Sequence, residues 1–212
     1  MVISFIAIPG SGKSTQINKL VQSKELKDVI SVSIPSLYKR RDFDITEYLT
    51  EDEKEKIKEV KEESDLSRKK GFLAPIILDE ILFNLAFRLS KLGKTVVIDG
   101  GPRGVAQAKL FMDLLPEEEK DSYKVIELYF EEKEEDMSRD RQYVRTINNQ
   151  ELSIEDAISK IVKIPNKITV YLNDTRPGLE YLAQNGIKIG RFEATNTIEK
   201  IHEDIMNFLV DR

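Results

Sequence analysis

Cysteine and tryptophan are absent from this chain of 212 residues, and histidine occurs only once, at His202. Without cysteine the protein has no disulfide, no thiolate nucleophile and no cysteine-based metal site. The single histidine, near the C-terminus, is interpreted as a solvated surface residue. The sequence also lacks any apolar run approaching about 18 residues, so we predict no transmembrane helix and no membrane partner.

The composition is that of an ordinary water-soluble domain, with 40% hydrophobic and 33% charged residues. A formal net charge of −5 gives no indication of a nucleic-acid partner, although the placement of the 33 basic residues matters more than their sum. The length suggests a single domain. The N-terminal segment has the pattern of a strand rather than of a signal peptide, and the lack of cysteine fits a reducing compartment. We therefore expect a cytoplasmic monomer.

A glycine-rich motif, Pro9-Gly10-Ser11-Gly12-Lys13-Ser14-Thr15, separates two segments of different periodicity. Residues 2–6 form an apolar run that predicts a buried strand, and residues 16–23 have apolar positions at helical spacing. Strand, glycine-rich turn and helix in this order are typical of a phosphate-binding loop, whose backbone N–H groups surround an anion. We predict that Lys13 reaches the outer phosphates of a nucleotide and that the Ser14 hydroxyl binds Mg²⁺.

One position departs from the usual form of this loop. The full pattern begins with glycine five residues before Gly12, where this chain has Ala7. Alanine is tolerated there if φ is negative, and the loop is strained if φ is positive.

Strand and helix patterns alternate along the chain. Strands are predicted at 2–6, 29–34, 94–99, 125–130 and 187–192. Helices are predicted at 16–23, 51–70, 76–92, 105–115, 131–144 and 165–184, the last with an interruption at Pro177-Gly178. A short helix that ends at Lys163 is predicted to begin at a cap formed by Ser153, and a C-terminal helix at a capping-box-like start formed by Asn196 and Glu199. A basic helical segment is also expected from Ser36. The alternation implies an α/β fold, a three-layer P-loop NTPase-type arrangement with a five-stranded parallel sheet and helices on both faces.

A second group of polar residues follows the third predicted strand. Ligands of parallel sheets bind at the carboxyl ends of the strands, where Asp99 would face Mg²⁺, directly or through water. Arg103, in the next turn, presents a planar guanidinium that suits a phosphate. Gln107 lies one turn further, and its carboxamide matches the Watson–Crick edge of adenine. Taken alone, Gln107 is better explained as a surface residue.

These residues resemble the signature of the adenylate kinase family, an apolar strand followed by Asp-Gly-aromatic-Pro-Arg, three residues, and Gln or Asn. The chain has Asp99-Gly100-Gly101-Pro102-Arg103 and then Gln107. The glycine-rich motif resembles the phosphate loop of that family, and the resemblance continues at Gly71-Phe72-Leu73-Ala74, at Tyr171 with Thr175-Arg176-Pro177, and at Gly186-Ile187. It therefore spans most of the chain.

The resemblance implies Mg²⁺-dependent transfer of the γ-phosphoryl group of ATP to AMP, giving two ADP. It implies charged groups at the reacting phosphates, namely Lys13, Arg103, Arg141, Arg145 and Lys167. The ATP site would contain Pro9, Gly10, Ser11, Gly12, Lys13, Ser14, Thr15, Arg141, Ala194 and Thr195. The AMP site would contain Ser36, Lys39, Arg40, Leu73, Ala74, Gly100, Arg103 and Gln107. Ser14 and Asp99 would serve the metal.

The same resemblance implies a division into subdomains. The core would comprise 1–35, 72–137 and 166–212, the nucleoside monophosphate-binding subdomain 36–71, and the lid 138–165. The lid is the least similar part, because Lys167 replaces its last arginine and Arg139 offers a second register for Arg141 and Arg145. Gly101 also replaces the aromatic residue, and Ile34-Pro35 replace a polar Thr-Gly.

Two other functions remain open. One is a kinase for another nucleoside monophosphate such as UMP or CMP, against which Gln107 rather than Asn argues mildly. The other is a nucleotide-binding module with little catalysis, which the altered lid and Ala7 make plausible. A regulatory GTPase is disfavoured, because the chain has no Asn-Lys-x-Asp guanine-binding motif.

Overall fold

The computed structural model describes residues 1–38, 45–70 and 72–210 and contains one five-stranded sheet. The strands are β1 (Val2–Ala7), β2 (Val29–Val32), β3 (Thr95–Asp99), β4 (Lys124–Tyr129) and β5 (Lys188–Glu193). All four neighbouring pairs are parallel, in the order β2-β3-β1-β4-β5. The predicted parallel sheet is therefore confirmed, with β1 at its centre.

Helices connect the strands on both sides of the sheet. They are α1 (Lys13–Gln22), α2 (Glu51–Lys70), α3 (Ile76–Lys91), α4 (Val105–Leu114), α5 (Glu134–Ile147), α6 (Ile154–Val162), α7 (Ile164–Val170), α8 (Arg176–Gln184) and α9 (Ile198–Val210). Helices α3, α4 and α8 contact one another in a row, and α1 contacts α9. With the sheet between these two groups, the molecule has the three-layer architecture of the P-loop NTPase type that the sequence predicts.

The core lies on both faces of the central strands. Val2, Ile3, Phe5 and Ile6 of β1 are all at most 1% exposed, because helices cover successive side chains on either face. An aromatic cluster fixes α3 and α4 beneath the sheet. Phe111 packs against Tyr123 at a centroid distance of 4.4 Å and edge-to-face against Phe83 at 4.9 Å. This packing holds the connection from β3 to α4 rigidly at the edge of the sheet.

The second strand and the segment after it differ from the prediction. β2 ends at Val32, and Ile34–Leu37 form a 3₁₀ turn rather than the end of the strand. Pro35 has no backbone N–H for a strand ladder, and the Ser36 hydroxyl accepts a hydrogen bond from Ser33 N at 2.8 Å, so the turn is favoured locally. The rest of the predicted basic helix lies largely outside the described residues.

The long helix predicted at 165–184 is interrupted earlier than expected. A single π-helical turn at Tyr171–Thr175 separates α7 from α8, and Pro177 lies in the first turn of α8. Proline cannot donate a backbone hydrogen bond to the preceding turn. The regular α-helical hydrogen bonding is therefore interrupted before Pro177 and not at Pro177-Gly178. At the start of α9, Thr197 Oγ1 accepts the capping hydrogen bond from Lys200 N at 3.2 Å. The sequence predicted Asn196 in this role.

The charged helix α2 agrees with its predicted span, and its apolar contact with the rest of the protein is narrow. Ile57 is 6% exposed, whereas Leu66 is 56% exposed. The proposed borders between core, nucleoside monophosphate-binding subdomain and lid remain predictions. Across residues 1–38, 45–70 and 72–210, no helix is both long enough and apolar enough to cross a membrane.

Candidate active site

The glycine-rich motif forms a compact loop between β1 and α1. Gly10 and Gly12 have φ values of 86° and 93°, which only glycine adopts without strain. Ser11 is buried, and its hydroxyl donates a hydrogen bond to Ile8 O at 2.7 Å. Ala7 ends β1 and does not have a positive φ. Alanine is therefore compatible with this position, and the departure from the usual pattern causes no backbone strain.

Helix α5 holds the outer side of this loop. The Ser138 hydroxyl donates to Pro9 O at 2.6 Å, and a Cβ added to Gly10 would lie 3.0 Å from Ser138 O. The absence of a side chain at Gly10 is thus required by packing as well as by φ. Because α5 also carries two candidate phosphate-binding arginines, this contact links their position to that of the loop.

Lys13, at the first position of α1, forms an ion pair with Asp99 at the end of β3. Burial and the positive charge of Arg103 lower the pKa of Lys13 to about 7. The direct carboxylate contact favours the ammonium form, so we expect Lys13 to be charged at neutral pH. Two residues that are 86 positions apart in sequence meet here because β1 and β3 are adjacent in the sheet.

Ser14 and Thr15 are exposed at the start of α1 and line the same cavity as Asp99. A hydroxyl and a carboxylate are hard oxygen donors, which suit Mg²⁺ when waters and phosphates complete the coordination. Among the described residues there is no cluster of three or more acidic or histidine side chains that would hold a metal without a nucleotide. The chemistry of Ser14 and Asp99 is compatible with a Mg²⁺ ion that arrives with phosphate, and their role as metal ligands remains a prediction.

The turn after β3 places Arg103 beside Lys13. Gly100 has a φ of 86°, and the Arg103 Nε donates to Gly100 O. The positive φ favours glycine at position 100, and a Cβ there would lie 2.5 Å from the guanidinium and would displace it. The Arg103 side chain is exposed to the cavity. A guanidinium held in this way can bind a phosphate opposite the glycine-rich loop.

Gln107 is buried in the first turn of α4 and does not lie on the surface. Its Oε1 accepts a hydrogen bond from Arg103 N at 2.6 Å, and its Nε2 donates to Asp79 Oδ2 at 2.7 Å. Asp79, in α3, is 2% exposed. Burial raises the pKa of this carboxyl to about 7, while the charge of Arg103 and the Gln107 hydrogen bond act against the increase.

Helix α5 brings Arg141 and Arg145 to the opposite side of the cavity. The Arg141 guanidinium lies 4.9 Å from the centroid of the Phe130 ring and donates to Ala194 O at 3.0 Å. The structure therefore places Arg141 and Ala194 together, as the prediction of a shared ATP site requires. Thr195 is exposed, and its backbone N–H donates to Glu193 Oε1 at 3.2 Å.

Helices α6 and α7 add three lysines to this side, namely Lys160, Lys163 and Lys167. Burial and the charges of Lys163, Lys160, Arg145 and Arg103 lower the pKa of Lys167. Such mutual repulsion is relieved when a polyanion enters between the lysines. A local surplus of positive charge is what a nucleotide phosphate chain requires.

One cavity of about 980 Å³ joins these groups. Its lining includes the glycine-rich loop, the β3–α4 turn, Leu73 and Ala74, and the basic faces of α5 to α7. Two of the described lining side chains are carboxylates, those of Asp79 and Asp99, against seven cations. The cations are Lys13, Arg103, Arg141, Arg145, Lys160, Lys163 and Lys167. The two predicted anion-binding groups thus lie on the same edge of the sheet and open into one space.

Five predicted site residues, Ser36, Lys39, Arg40, Ala194 and Thr195, are not among the described groups that line the cavity. Ser36 is 3% exposed, and its hydroxyl donates to Ser33 O at 2.6 Å. Its neighbours Ile34 and Pro35 line the cavity instead. Lys39 and Arg40, which were predicted to bind the acceptor phosphate, lie outside the described residues.

Sequence reasoning missed Asp79, Lys160 and Lys163. Asp79 interrupts an otherwise apolar stretch of α3, and an acid at a core-facing position is an available signal. Lys160, Lys163 and Lys167 recur at intervals of three and four residues, the spacing of one helical face. The family resemblance implies arginines in the lid and therefore does not indicate Lys160 and Lys163.

The fold defines a P-loop type α/β protein, and two groups of residues that are predicted to bind anions face one cavity. No known family model matches the chain. The chain is similar to a protein named adenylate kinase from Azobacteroides pseudotrichonymphae genomovar. CFP2, with 27% identity over 211 residues. The match covers 96% of this chain and 94% of that protein. The similarity is modest, but it extends over both anion-binding groups and the basic helices.

Proposed function

We propose that the protein is a nucleoside monophosphate kinase that transfers the γ-phosphoryl group of ATP to AMP, giving two ADP. The observation that carries the proposal is the juxtaposition of Lys13 and Arg103, in the segments that follow the adjacent strands β1 and β3, at one cationic cavity. The similarity to a protein named adenylate kinase over nearly the whole chain supports it. A cytoplasmic location and a monomeric state remain predictions from the sequence.

The donor nucleotide would occupy the side formed by the glycine-rich loop. Backbone N–H groups of residues 10–15 and the N-terminus of α1 would surround the β-phosphate, with Lys13 between the β- and γ-phosphates. Arg141 lies against Phe130 and Ala194, close to the carboxyl end of β4. In the proposed complex the base and the phosphates of the donor would meet there. This arrangement would orient the γ-phosphate toward the β3–α4 turn.

The acceptor would occupy the side formed by α3 and the β3–α4 turn. Arg103 would bind its phosphate, and the carboxamide of Gln107 would hydrogen-bond to its base. Leu73 and Ala74 line the cavity on this side and would contact the base. The depth of the cavity and its mixed polar and apolar lining suit a nucleotide that is largely enclosed.

The transfer itself requires positioning and charge rather than a general base. The attacking oxygen belongs to a phosphate that is already ionised, so no side chain has to remove a proton. Lys13, Arg103 and the arginines and lysines of α5 to α7 would stabilise the negative charge that develops on the transferred group. Mg²⁺, held by Ser14 and by Asp99 directly or through water, would neutralise part of the phosphate charge when it is bound.

The deciding experiment is incubation with ATP and Mg²⁺ together with each of AMP, GMP, UMP, CMP and TMP, followed by measurement of the diphosphates. We expect ADP from AMP, and we expect Lys13→Ala to abolish turnover while the fold is retained. UDP or CDP as the best product would indicate the alternative acceptor. Tight ATP binding with no diphosphate from any acceptor would indicate a binding module and would refute the proposed kinase.

A further inference from the structure

The carboxamide of Gln107 is hydrogen-bonded at both ends by groups of opposite character. Its Oε1 accepts from Arg103 N at 2.6 Å, and its Nε2 donates to Asp79 Oδ2 at 2.7 Å. Gln107 and Asp79 are 5% and 2% exposed, so little water competes for these bonds. An amide in this position is held more firmly than one at a surface.

These two partners permit only one orientation of the amide. A backbone N–H can only donate, and the Asp79 carboxylate can only accept in its ionised form, which predominates above its pKa of about 7. Rotating the carboxamide by 180° would place Nε2 against Arg103 N and Oε1 against the Asp79 carboxylate. Both hydrogen bonds would then be replaced by repulsive contacts, so the orientation is fixed by the chemistry of its neighbours.

A purely structural role does not explain why Asp79 is acidic. Its neighbours in α3 include Leu78, Leu82 and Phe83, all at most 2% exposed, and a leucine would suit this part of the core. A buried carboxylate is costly unless it is used, and its raised pKa reflects that cost. Asp79 also lines the cavity beside Gly101, where an added Cβ would lie 3.9 Å from Asp79 Oδ1.

We infer that Asp79 is a positioning residue that fixes the Gln107 carboxamide and thereby makes the acceptor site select a 6-aminopurine over a 6-oxopurine nucleotide. The inference rests on the proposed function. One N–H of Nε2 and one lone pair of Oε1 remain for the base. A 6-aminopurine offers a donor at position 6 and an acceptor at position 1, and a 6-oxopurine offers the reverse. When the purine ring lies in one given place, an amide of fixed orientation can form both hydrogen bonds with only one of these two kinds of base.

The test compares AMP with IMP, which differ only at this edge of the base, in the wild-type protein and in Asp79→Asn, at pH 8, where the Asp79 carboxyl is mainly ionised. The asparagine has the same shape, but its amide can donate as well as accept. In the variant, the reversed orientation of Gln107 therefore has only one repulsive contact, between Nε2 and Arg103 N. We expect the wild-type ratio of kcat/KM for AMP over IMP to be at least about 100, and to fall at least tenfold in Asp79→Asn. The KM for ATP should not change.

Two further variants make the comparison specific. Asp113→Asn changes an exposed carboxylate in α4 and should leave the AMP/IMP ratio unaltered. Gln107→Ala should lower the ratio to near 1, because no base-reading group remains. An unchanged ratio in a folded Asp79→Asn protein, or equal use of AMP and IMP by the wild type, would overturn the inference.

A spectroscopic measurement separates this inference from the proposed function. The side-chain ¹⁵N–¹H₂ resonances of Gln107, identified by their loss in Gln107→Ala, should show one proton protected from exchange and shifted by the carboxylate. Asp79→Asn should remove that protection and shift. If no nucleotide is phosphorylated, the proposed kinase fails and the assigned specificity with it. If the protection is missing in the wild type, Asp79 does not fix the amide even when the enzyme is active.

Discussion

At the scale of single residues, four charged groups that lie close together determine the chemistry of the site. Lys13 contacts Asp99, and Arg103 lies close enough to both Lys13 and Asp79 to influence their pKa values. Each charged group is therefore adjusted by the others, and a nucleotide phosphate would enter an environment already arranged to receive negative charge. A substitution at one of these positions changes the protonation of the remaining ones.

The raised pKa of Asp79 predicts a pH dependence of stability. The folded-state pKa of about 7 exceeds the ordinary value of 3.8, so the folded protein binds this proton more tightly than the unfolded chain. The resulting stabilisation is complete below about pH 4 and is lost as the pH rises to 7, by up to roughly 4 kcal/mol. Asp79→Asn removes this loss, so urea unfolding at pH 5 and pH 8 should show a smaller decrease in the variant.

Asp113→Asn is the matched control for that measurement, because Asp113 is exposed. Its unfolding free energy should vary with pH as that of the wild type does. Parallel pH profiles for the wild type and Asp79→Asn would show that Asp79 has an ordinary pKa, contrary to its burial.

At the scale of secondary structure elements, the attachment of α2 to the core is the most informative case. This helix is almost wholly charged, yet its first turn is fixed by a reciprocal capping box. Thr50 N donates to Glu53 Oε2 at 2.8 Å, and Glu53 N donates to Thr50 Oγ1 at 3.2 Å. The same Glu53 carboxylate accepts two hydrogen bonds from Arg88 in α3, at 3.0 and 2.8 Å. One partly buried side chain thus caps α2 and joins it to α3.

Glu53→Gln should therefore loosen α2 while leaving the sheet intact. The variant keeps the size of the side chain but loses the bidentate ion pair with Arg88, which we expect to cost about 1–2 kcal/mol locally. Hydrogen exchange should accelerate in residues 51–57 and stay unchanged in β1 and β3. Lys54→Gln removes only the exposed pair with Glu51 and should have little effect. Equal acceleration in both variants would contradict the anchoring role of Glu53.

At the scale of the whole molecule, the cavity is enclosed by parts of the chain that are distant in sequence. Asn166 Nδ2, in α7, donates to Lys70 O at the end of α2, at 2.9 Å. This contact connects the basic helices with the acceptor side of the cavity. Helix α2 is thus joined through α7 to the basic side of the cavity, although none of its own described residues lines it.

A ligand that joins the two sites should therefore stabilise the protein more than its separate halves. We expect a compound with two adenosines linked through one phosphate chain to raise Tm more than ATP and AMP together at the same concentration, because the second binding step becomes intramolecular. Thermal unfolding with and without Mg²⁺ measures this effect. Arg103→Ala should reduce the advantage of the linked compound, whereas an advantage that persists in full would place the acceptor phosphate elsewhere.

The sequence by itself determined the features that depend on neighbours along the chain. The glycine-rich motif, the alternation of strands and helices, and the Asp99 to Gln107 segment are local patterns, because backbone conformation and helical periodicity act over a few residues. From these patterns the parallel sheet and the two anion-binding groups at one edge could be predicted. The family resemblance predicts a lid at 138–165, which stays a prediction, and it assigns no role to Lys160 and Lys163 within that segment.

Only the tertiary structure decided which distant groups meet. Asp79 and Gln107 are 28 residues apart, and no local pattern indicates that one hydrogen-bonds to the other. The cap at Thr197 and the π-helical turn before Pro177 likewise differ from the prediction, since small changes of register depend on how α7, α8 and α9 pack. Spacing along a chain specifies the elements, whereas contacts between elements depend on the packing of the complete core.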